Sequence, residues 1–308
     1  MLDNFIEDFE IHYQKIDITS YKTLETTFNY IKSQKGKRVR PSLAIISYFI
    51  YNQTIDDKIY NLASALEIFH NFTLVHDDIM DNAPTRRGVP TINSKWNNNL
   101  AILTGDLILI KAYQLVNQLN SSAINSIFSQ CAIDICVGQQ MDMDFSTIEN
   151  VQIEDYVEMV RLKTAVLLGN SLKMGALLTG VTDEECDNLY CFGEKMGIAF
   201  QIQDDYLDLF ADNFSFGKQK GGDIIEGKKS FLYLKTLEII KDLDAKQIFI
   251  DYYNSADINT VESLMINYGI PKEVNKLINS YKDDAMHYFS KIQNTDKILI
   301  LKYIQTII

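Results

Sequence analysis

The chain carries one acidic motif twice, as Asp77-Asp78-Ile79-Met80-Asp81 and as Asp204-Asp205-Tyr206-Leu207-Asp208. Each copy lies in an apolar stretch with helical periodicity, so its first and last carboxylates should project from one helix face, one turn apart. Carboxylates that close repel each other unless a cation lies between them. Mg²⁺ suits such oxygen ligands best because it combines few carboxylates with substrate phosphates. The two copies therefore predict magnesium-binding helices rather than two solvated acidic surfaces.

The sequence around the two motifs predicts a helical protein. Apolar residues recur at helical spacing in segments such as 107–110 and 165–168, and residues 91–270 contain no proline. This pattern favours an all-α fold. Irregular stretches are expected directly after the motifs, at residues 82–90 and 213–227. We predict helices near residues 3–17, 20–33, 41–53, 56–81, 95–119, 122–145, 153–179, 183–212, 229–241 and 245–255, with further helices to the end.

The charge distribution points to a small anionic ligand. A net charge of −12 argues against nucleic acid as a partner, because a phosphate backbone needs a basic surface. Basic residues nevertheless form short islands: Lys35, Lys37, Arg38 and Arg40; Arg86 and Arg87; Lys218 and Lys220; Lys228 and Lys229. Such islands beside metal-binding carboxylates are expected to bind a polyanionic small molecule.

We predict neither a signal peptide nor a membrane span. The N-terminus, Met1-Leu2-Asp3-Asn4-Phe5, is acidic and lacks a basic segment ahead of an apolar core. No uninterrupted apolar run approaches the length that crosses a bilayer. We interpret the four cysteines as buried reduced thiols, because a zinc site would also need histidine partners and tight turns. These cysteines are Cys131, Cys136, Cys186 and Cys191. We expect a cytoplasmic protein without a membrane span.

Six motifs follow one another between residues 36 and 230. In chain order they are Gly36-Lys37-Arg38-Val39-Arg40-Pro41; His70 ahead of His76-Asp77-Asp78-Ile79-Met80-Asp81; Arg86-Arg87-Gly88; Lys163-Thr164; Phe200-Gln201-Ile202-Gln203-Asp204-Asp205; and Gly217-Lys218 through Asp223 to Gly227-Lys228. This series resembles the trans-isoprenyl (polyprenyl) diphosphate synthases of the short-chain type, which make geranylgeranyl or farnesyl diphosphate. The resemblance implies the isoprenoid synthase type I fold, a single-domain helical bundle with a central cavity over residues 1–308, and a homodimer.

The resemblance also implies a reaction. Such enzymes ionise an allylic diphosphate to a carbocation and pyrophosphate. The double bond of isopentenyl diphosphate then attacks the cation, and a proton is lost. Metal ions, about three Mg²⁺ per active site in the family, and fixed cations stabilise the charge that develops on the leaving group. No side chain is an evident base, and the resemblance implies that the departing pyrophosphate accepts the proton.

The same resemblance assigns roles to the motif residues. The expected metal ligands are the six motif aspartates: Asp77 and Asp81 for two ions with Asp78 in support, and Asp204 for a third with Asp205 and Asp208 behind it. The expected ligands of the allylic diphosphate are Arg86, Lys163, Lys218 and Lys228. Those of isopentenyl diphosphate are Gly36, Lys37, Arg40, His70 and Arg87. Thr164 and Gln201 would place oxygen dipoles near the carbocation. A further segment with Gln139, Gln140 and Asp142 is assigned only to the cavity wall.

Aromatic residues ahead of the first motif bear on product length. Phe72 lies five residues before Asp77, and Phe69 lies one turn below it on the same stripe. Two phenyl rings there would block a long tunnel. In the family, a bulky aromatic at the Phe72 position accompanies short products, while the next position, here the smaller Thr73, is often aromatic in enzymes that stop at fifteen carbons. We therefore predict geranylgeranyl diphosphate, with farnesyl diphosphate as the alternative; plain core packing of both rings is the competing interpretation.

Three other functions match parts of the pattern. A terpene cyclase would share the fold, but Asp208 stands where its second motif carries Ser or Thr, and the Gly36–Pro41 segment would have no purpose. A di-iron bundle would need a second copy of the Glu67-Ile68-Phe69-His70 spacing, for which only Asp284-Ala285-Met286-His287 is a candidate. A non-catalytic partner subunit of a prenyl synthase normally lacks carboxylates from one motif, whereas this chain retains all six. We therefore predict an active enzyme.

Overall fold

The structure is a computed structural model that describes residues 2–19, 21–34, 36–211 and 220–306. Its helices are α1 (Leu2–Gln14), α2 (Lys22–Lys32), α3 (Val39–Asn52), α4 (Asp57–Met80), α5 (Ile92–Lys95), α6 (Asn98–Asn117), α7 (Ser122–Phe145), α8 (Ile153–Val160), α9 (Val166–Leu177), α10 (Asp183–Phe210), α11 (Gly222–Ile225), α12 (Phe231–Ile239), α13 (Leu243–Asn254), α14 (Ile258–Asn267), α15 (Ile270–Lys291) and α16 (Ile298–Gln305). A π-helical turn spans Arg161–Ala165, and a 3₁₀ turn spans Thr295–Lys297. The strands β1 (Thr85–Arg86) and β2 (Val89–Pro90) form one antiparallel pair. The all-α prediction is confirmed.

The chain divides into two compact units. The first comprises Met1–Ser129, Ser171–Asp187 and Gln293–Ile308, and the second comprises Gln130–Asn170 and Asn188–Ile292. Each unit contains one of the two aspartate motifs. The expectation of a single domain over residues 1–308 stays a prediction.

Helix α4 lies at the centre of the first unit. The Asp56 side chain caps its N-terminus by accepting the backbone N–H groups of Lys58 and Ile59. Buried side chains such as Leu66 and Phe69 pack it against α3 and α6. Burial of each large apolar side chain contributes about 1.5–3 kcal/mol. This packing holds α4 in place, and the first aspartate motif follows at its C-terminal end.

The second unit has a hydrophobic core of its own. Most of its buried members come from α8, α10 and α12–α15, and they include Tyr156, Ile198, Ile202, Phe231, Phe249, Val261, Ile270 and Val274. Along α10 the residues Ile198, Ile202 and Leu209 form the stripe that faces this core. The second aspartate motif therefore lies on a helix that the core orients.

Helix α6 has an unusually apolar surface. Among the described residues it is the one helix long and apolar enough, by length and composition, to cross a membrane, which the core helix of a soluble protein can also satisfy. Ile108 and Ala112 are buried on one side, whereas Ile102, Leu103 and Ile110 are exposed. Helix α6 thus combines a core-facing side with an exposed apolar side.

All four cysteines are reduced, and none forms a disulfide. Cys131 and Cys186 are buried, as predicted, whereas Cys191 is only half-buried. The prediction of burial was wrong for Cys136, which is exposed on α7 together with Ile133 and Val137. The apolar neighbours that suggested a core position belong to an exposed apolar face of this helix.

Candidate active site

The first aspartate motif occupies the last turn of α4, with Asp81 as the C-cap residue. Its middle residue, Asp78, lies three residues after Val75 on the buried stripe and accepts a hydrogen bond from Arg86 Nε at 2.6 Å. Burial raises the pKa of Asp78, and the Arg86 guanidinium opposes that rise. Asp77 is half-buried and Asp81 is exposed. The middle carboxylate is therefore held by Arg86, and the outer two are the more accessible.

The second motif repeats this arrangement near the end of α10. Asp205 lies on the core-facing stripe between Ile202 and Leu209. Its carboxylate accepts hydrogen bonds from the Tyr156 hydroxyl at 2.6 Å and from the Gln201 amide at 2.9 Å. Burial raises the pKa of Asp205 to about 6, although these donors oppose the rise. In both motifs the middle aspartate is held by neighbouring donors, which orients the helix face that carries the outer pair.

A further carboxylate joins the second motif from the turn after it. The Asp208 carboxylate accepts the backbone N–H of Asp223 at 3.0 Å. Burial, and then the charge of Asp205, raises the pKa of Asp223 to about 8. Lys228 Nζ lies 2.7 Å from Glu226 and 3.8 Å from Asp223. The raised pKa of Asp223 indicates that the lysine only partly compensates the buried negative charge.

A cavity of about 140 Å³ opens in the second unit beside these carboxylates. Its lining includes Asp142, Tyr156, Lys163, Thr164, Gln201, Asp205, Asp223, Glu226 and Lys228. The Thr164 hydroxyl donates to Gln201 Oε1 at 3.2 Å, so that a hydrogen-bonded chain runs from Thr164 through Gln201 to Asp205. Two predicted phosphate ligands, Lys163 and Lys228, thus line the same cavity as Asp205 of the second motif. Lys218, another of these predicted ligands, lies outside the described residues.

Lys163 and Thr164 lie in the π-helical turn, which interrupts the helix predicted at 153–179. Helix α7 runs close to this turn because Gly138 has no side chain, and a Cβ atom there would collide with the backbone of Lys163. One turn later on α7, Asp142 Oδ2 lies 2.6 Å from Lys163 Nζ. Isolated π turns are frequent at functional sites. The sequence pattern does not predict this turn, although a glycine inside a helix can mark such a close approach.

Two functional candidates were missed or understated from the sequence. Tyr156, which is buried and holds Asp205, was not considered. Asp142 was assigned only to the cavity wall, yet it pairs with Lys163. The available signal was the seven-residue spacing between Tyr156 and Lys163, which places both on one helix face, two turns apart. A buried tyrosine hydroxyl also needs a polar partner.

Removing the Tyr156 hydroxyl should affect both stability and turnover. In Tyr156→Phe, the half-buried Asp205 loses one of its two side-chain donors, Tyr156, and keeps the other, Gln201. We expect the variant to lose about 1–2 kcal/mol of unfolding free energy. Because Asp205 also orients Gln201, we expect kcat to fall about tenfold. Denaturant unfolding and steady-state kinetics measure the two effects.

Tyr190→Phe is the matched control. The Tyr190 hydroxyl donates to Glu194 at 2.9 Å in the same unit, but neither residue lines the cavity. This variant should lose comparable stability and keep its kcat. If both variants lose kcat equally, Tyr156 has no particular role in orienting the site.

The two arginines after the first motif contact different groups. They lie in the β1–β2 hairpin, where Arg87 and Gly88 both have positive φ (52° and 79°), as two-residue hairpin turns require. Arg86 turns back to Asp78. Arg87 lies over Gly36, where a Cβ atom would stand 2.8 Å from Arg87 Nη1. The missing side chain at Gly36 thus makes room for the second guanidinium.

A second basic group meets a histidine on α4. Arg40 Nη1 donates to His70 Nε2 at 3.2 Å. Burial lowers the pKa of His70 well below its ordinary value, and the charges of Arg40 and Arg87 lower it further. His70 is therefore a neutral imidazole with its proton on Nδ1. Lys37 is exposed, and its carbonyl accepts the Tyr303 hydroxyl at 3.3 Å. The first unit brings together all five predicted ligands of isopentenyl diphosphate: Gly36, Lys37, Arg40, His70 and Arg87.

The predicted chain-length residues differ in their surroundings. Phe69 is fully buried, with its ring centroid 5.2 Å from that of Phe128. Phe72 lies nearer the motif and packs its ring against His76 at 4.6 Å. The Thr73 hydroxyl bonds to the backbone carbonyl three residues before it. Phe72 is thus the predicted floor residue closer to the carboxylates, and Phe69 belongs to the core beneath it.

The donor set of the two motifs suits a hard divalent cation. Both motifs lie at the C-terminal ends of helices, where the helix dipole favours cations, yet they carry carboxylates. Within the described residues no three His, Cys, Asp or Glu side chains form a complete metal site by themselves. Mg²⁺ needs no such cage, because one or two carboxylates and the phosphates of a substrate complete its coordination. The motifs therefore fit Mg²⁺ bound together with a diphosphate.

Comparison with known proteins relates this site to one family. A family model described as polyprenyl synthetase matches residues 21–266. The geranylgeranyl diphosphate synthase of Saccharolobus solfataricus is 35% identical over 306 residues, which is 93% of this chain and 90% of that protein. The enzyme of the same name from Sulfolobus acidocaldarius is 38% identical over 273 residues, or 83% and 82% of the two chains.

A solved structure supports the same relationship. A crystal structure of geranylgeranyl pyrophosphate synthase matches the fold with a TM-score of 0.91 at 35% identity, covering 99% of this chain and 98% of that one. The segment matched by the family model, 21–266, contains all six motifs. The resemblance inferred from those motifs is confirmed, and the chain belongs to the polyprenyl synthetase family.

Proposed function

We propose that this chain is a geranylgeranyl diphosphate synthase, which condenses isopentenyl diphosphate with allylic diphosphates up to a chain of twenty carbons. As a member of the polyprenyl synthetase family it is a trans-isoprenyl diphosphate synthase, a prenyltransferase. Relatives named geranylgeranyl diphosphate synthase at 35% and 38% identity support the product length. The observation that carries the proposal is the shared design of the two motifs. In each, a neighbour holds the middle aspartate, and the outer pair lies at a helix C-terminus.

Three described cations would bind the diphosphate of the allylic substrate: Arg86, Lys163 and Lys228, with Lys218 as a fourth. Each of the three is paired with a carboxylate, Arg86 with Asp78, Lys163 with Asp142 and Lys228 with Glu226. These pairs orient the cations and balance their charge before the substrate binds. A diphosphate carries more charge than a single carboxylate and can share the same cations. The charge that develops on the leaving diphosphate is then stabilised by cations that are already in place and need little reorganisation.

The motif aspartates would hold the metal. Asp77, Asp81 and Asp204 would bind about three Mg²⁺ ions, which supply Lewis-acid stabilisation of the charge on the departing diphosphate. Asp78, Asp205 and Asp208 would support these ligands through the contacts already described. Thr164 and Gln201 line the same cavity and are joined by a hydrogen bond. Their oxygen dipoles would stabilise the allylic cation.

The basic group of the first unit would bind isopentenyl diphosphate. Lys37, Arg40 and Arg87 supply the positive charge, and Gly36 leaves space for Arg87. His70 is neutral and accepts from Arg40, so it orients that guanidinium rather than adding charge. We assign the final proton transfer to the departing pyrophosphate, in line with the family.

The proposed function is tested by measuring the chain length of the products. Purified protein is incubated with Mg²⁺, labelled isopentenyl diphosphate and the C5, C10 or C15 allylic diphosphate in turn, and products are analysed by mass. A C20 product from each starter is expected. A product that stops at C15 would support the alternative, a farnesyl diphosphate synthase. No condensation with any starter by folded protein would contradict an enzyme and favour a non-catalytic partner subunit.

Shortening Phe72 should lengthen the product. The phenyl ring packs on His76 immediately before the motif, where a growing chain would meet it. Phe72→Ala opens space on this stripe, so we expect a shift from C20 to longer products at a similar rate of isopentenyl consumption. The product distribution after complete conversion of the C15 starter measures the shift.

Phe28→Ala is the control for general loosening of the core. Phe28 is buried on α2 in the same unit and lies on no predicted tunnel wall. Its replacement should cost about 3–5 kcal/mol, as is usual for buried phenylalanine, and leave product length unchanged. An unchanged distribution in Phe72→Ala would exclude Phe72 as the floor.

Three broader properties complete the proposal. We propose a homodimer, which the family resemblance implies, and the exposed Ile102, Leu103 and Ile110 of α6 offer an apolar surface for a second copy. We also propose one functional domain over residues 1–308 in the cytoplasm, without a membrane span. The reduced cysteines support a reducing compartment, and the net charge of −12 disfavours nucleic acid. Light scattering of the purified protein measures the oligomeric state.

A further inference from the structure

Arg38 belongs to the motif Gly36–Pro41, but its surroundings differ from those of the other basic residues in that motif. Its side chain is only 6% exposed, whereas Lys37 is exposed and Arg40 is half-buried. Arg38 Nε donates to Glu10 at 2.6 Å, and Nη1 donates to Glu67 at 2.6 Å. The guanidinium is therefore already bound by two carboxylates, which corrects its interpretation as part of a phosphate-binding island.

The partners of Arg38 come from three parts of the first unit. Glu10 belongs to α1, whose Tyr13 ring also lies 5.2 Å from the guanidinium. Glu67 belongs to α4 and is 3% exposed. A third donor, Nη2, reaches the carbonyl of Gln34 at 3.4 Å, at the start of the loop that leads to the motif. One side chain thus links the N-terminal helix, the loop and α4.

The backbone at Arg38 is unusual as well. Arg38 is the N-cap residue of α3 and has φ of 48° and ψ of 40°, the left-handed conformation. Residues other than glycine adopt it at an energetic cost that surrounding contacts must offset. The two short ion pairs provide such contacts. This bend separates Lys37 from Arg40 and so sets the directions in which they leave the backbone.

Helix α4 contacts the Gly36–Pro41 motif at two points that lie one helical turn apart. Glu67 holds Arg38, and three residues later His70 meets Arg40. Asn71 continues this side of the helix and donates to the Tyr13 hydroxyl at 3.0 Å, which ties α1 to α4. The three-residue spacing of Glu67 and His70 therefore lets both side chains contact the segment 36–40.

We propose that Arg38 is a positioning residue, which with Glu10 and Glu67 fixes the segment 36–40 so that Lys37 and Arg40 bind isopentenyl diphosphate. The N-terminal helix α1 is in consequence part of the isopentenyl site, although the assigned ligands of that substrate lie on other segments. This inference rests on the proposed function. It predicts that loss of either carboxylate weakens the binding of isopentenyl diphosphate and spares the allylic substrate.

The test uses Glu67→Gln, Glu10→Gln and Arg38→Lys in the full-length protein. We expect KM for isopentenyl diphosphate to rise about tenfold in Glu67→Gln and Arg38→Lys, because small displacements of binding groups are costly. The rise should be smaller in Glu10→Gln, since Glu10 is 35% exposed. KM for the allylic diphosphate should change by less than about twofold, because Arg38 and its two carboxylates hold the segment 36–40, which is not assigned to that substrate. Hydrogen exchange of the amides at 36–40 should speed up in the same order.

Glu185→Gln is the matched control. Glu185 is a buried carboxylate of the same unit, bound by the Tyr51 hydroxyl at 2.7 Å and by a backbone N–H, and far along the chain from the motif. It should lower the melting temperature without changing KM for isopentenyl diphosphate or exchange at 36–40. Equal rises in KM for both substrates, or a lower kcat with unchanged KM values, would overturn the proposal. Unchanged exchange at 36–40 would overturn it as well.

Failure of the proposed function gives a different result. A wild-type protein that forms no prenyl product contradicts that function before any variant is compared. Calorimetric titration with isopentenyl diphosphate alone then measures its binding to the wild type and to Glu67→Gln, and this comparison tests the positioning role of Arg38 separately. Weaker binding in Glu67→Gln than in wild type supports the positioning role without turnover, and equal binding, or none to either protein, overturns it.

Discussion

Asp77→Asn should lower kcat/KM for the allylic diphosphate by about 10³- to 10⁴-fold and leave the fold intact, because the variant removes charge where a cation and a leaving diphosphate must be stabilised. The same change removes a carboxylate from the last turn of α4, where the helix dipole disfavours it by about 0.3–1 kcal/mol. We therefore expect a melting temperature equal to that of wild type or about 1–2 °C higher. Steady-state kinetics across a Mg²⁺ titration and thermal unfolding measure the two effects.

The opposite signs of these effects make the prediction specific. A variant that merely damaged the fold would lose activity and stability together. Asp187→Asn is the control, since Asp187 is an exposed carboxylate of the same unit that pairs with Lys173. It should keep its activity within about twofold, because exposed ion pairs contribute little. Activity of Asp77→Asn within tenfold of wild type would show that Asp77 does not hold the metal.

Lys163→Met should lower kcat/KM for the allylic substrate by about 10²- to 10³-fold, the usual loss for one charge-stabilising group. Its ammonium group borders the cavity and is held 2.6 Å from Asp142, so the substitution also leaves that carboxylate without its lysine. KM for isopentenyl diphosphate should change little, because Lys163 is not among the residues assigned to that substrate. Kinetics with each substrate varied at saturation of the other separates the two.

Two comparison variants sharpen this prediction. Lys173→Met removes a lysine that pairs with Asp187 at the surface and should stay close to wild type. In Lys163→Met with Asp142→Asn, the unpaired carboxylate is removed as well. We expect stability to recover in the double variant while the rate stays low. Full recovery of the rate would mean that Lys163 serves only to neutralise Asp142.

The long helices were predictable because their periodic patterns extend over many turns. The helix predicted at 56–81 is observed at Asp57–Met80, and that predicted at 183–212 is observed at Asp183–Phe210. The core-facing position of the middle aspartates could also have been derived. Asp78 follows Val75 by three residues and Asp205 follows Ile202 by three, so each continues an apolar stripe.

Other features depend on contacts between distant parts of the chain. The π turn forms where α7 passes at Gly138, a neighbour more than twenty residues earlier. Arg38 lies in a basic segment, where the sequence alone suggests a phosphate-binding residue. Only its ion pairs with Glu10 and Glu67 distinguish it from such a ligand. Only the hydrogen bond from its hydroxyl to Asp205 identifies Tyr156 as a functional candidate. Residue types and spacing predicted the ligands, whereas the groups that hold those ligands required the fold.

The π turn at Arg161–Ala165 has a consequence for how the sequence can change over evolutionary time. Its hydrogen bonds enclose one residue more than those of an α-helix, so the helix has in effect absorbed a one-residue insertion. Deleting a single residue there would restore a regular helix and rotate the side chains that follow by about 100° relative to Tyr156. Substitutions at this turn change the chemistry of one position, but a change in length misdirects a whole helical face. The spacing between Tyr156 and Thr164 is therefore constrained more tightly than the identity of the residues between them.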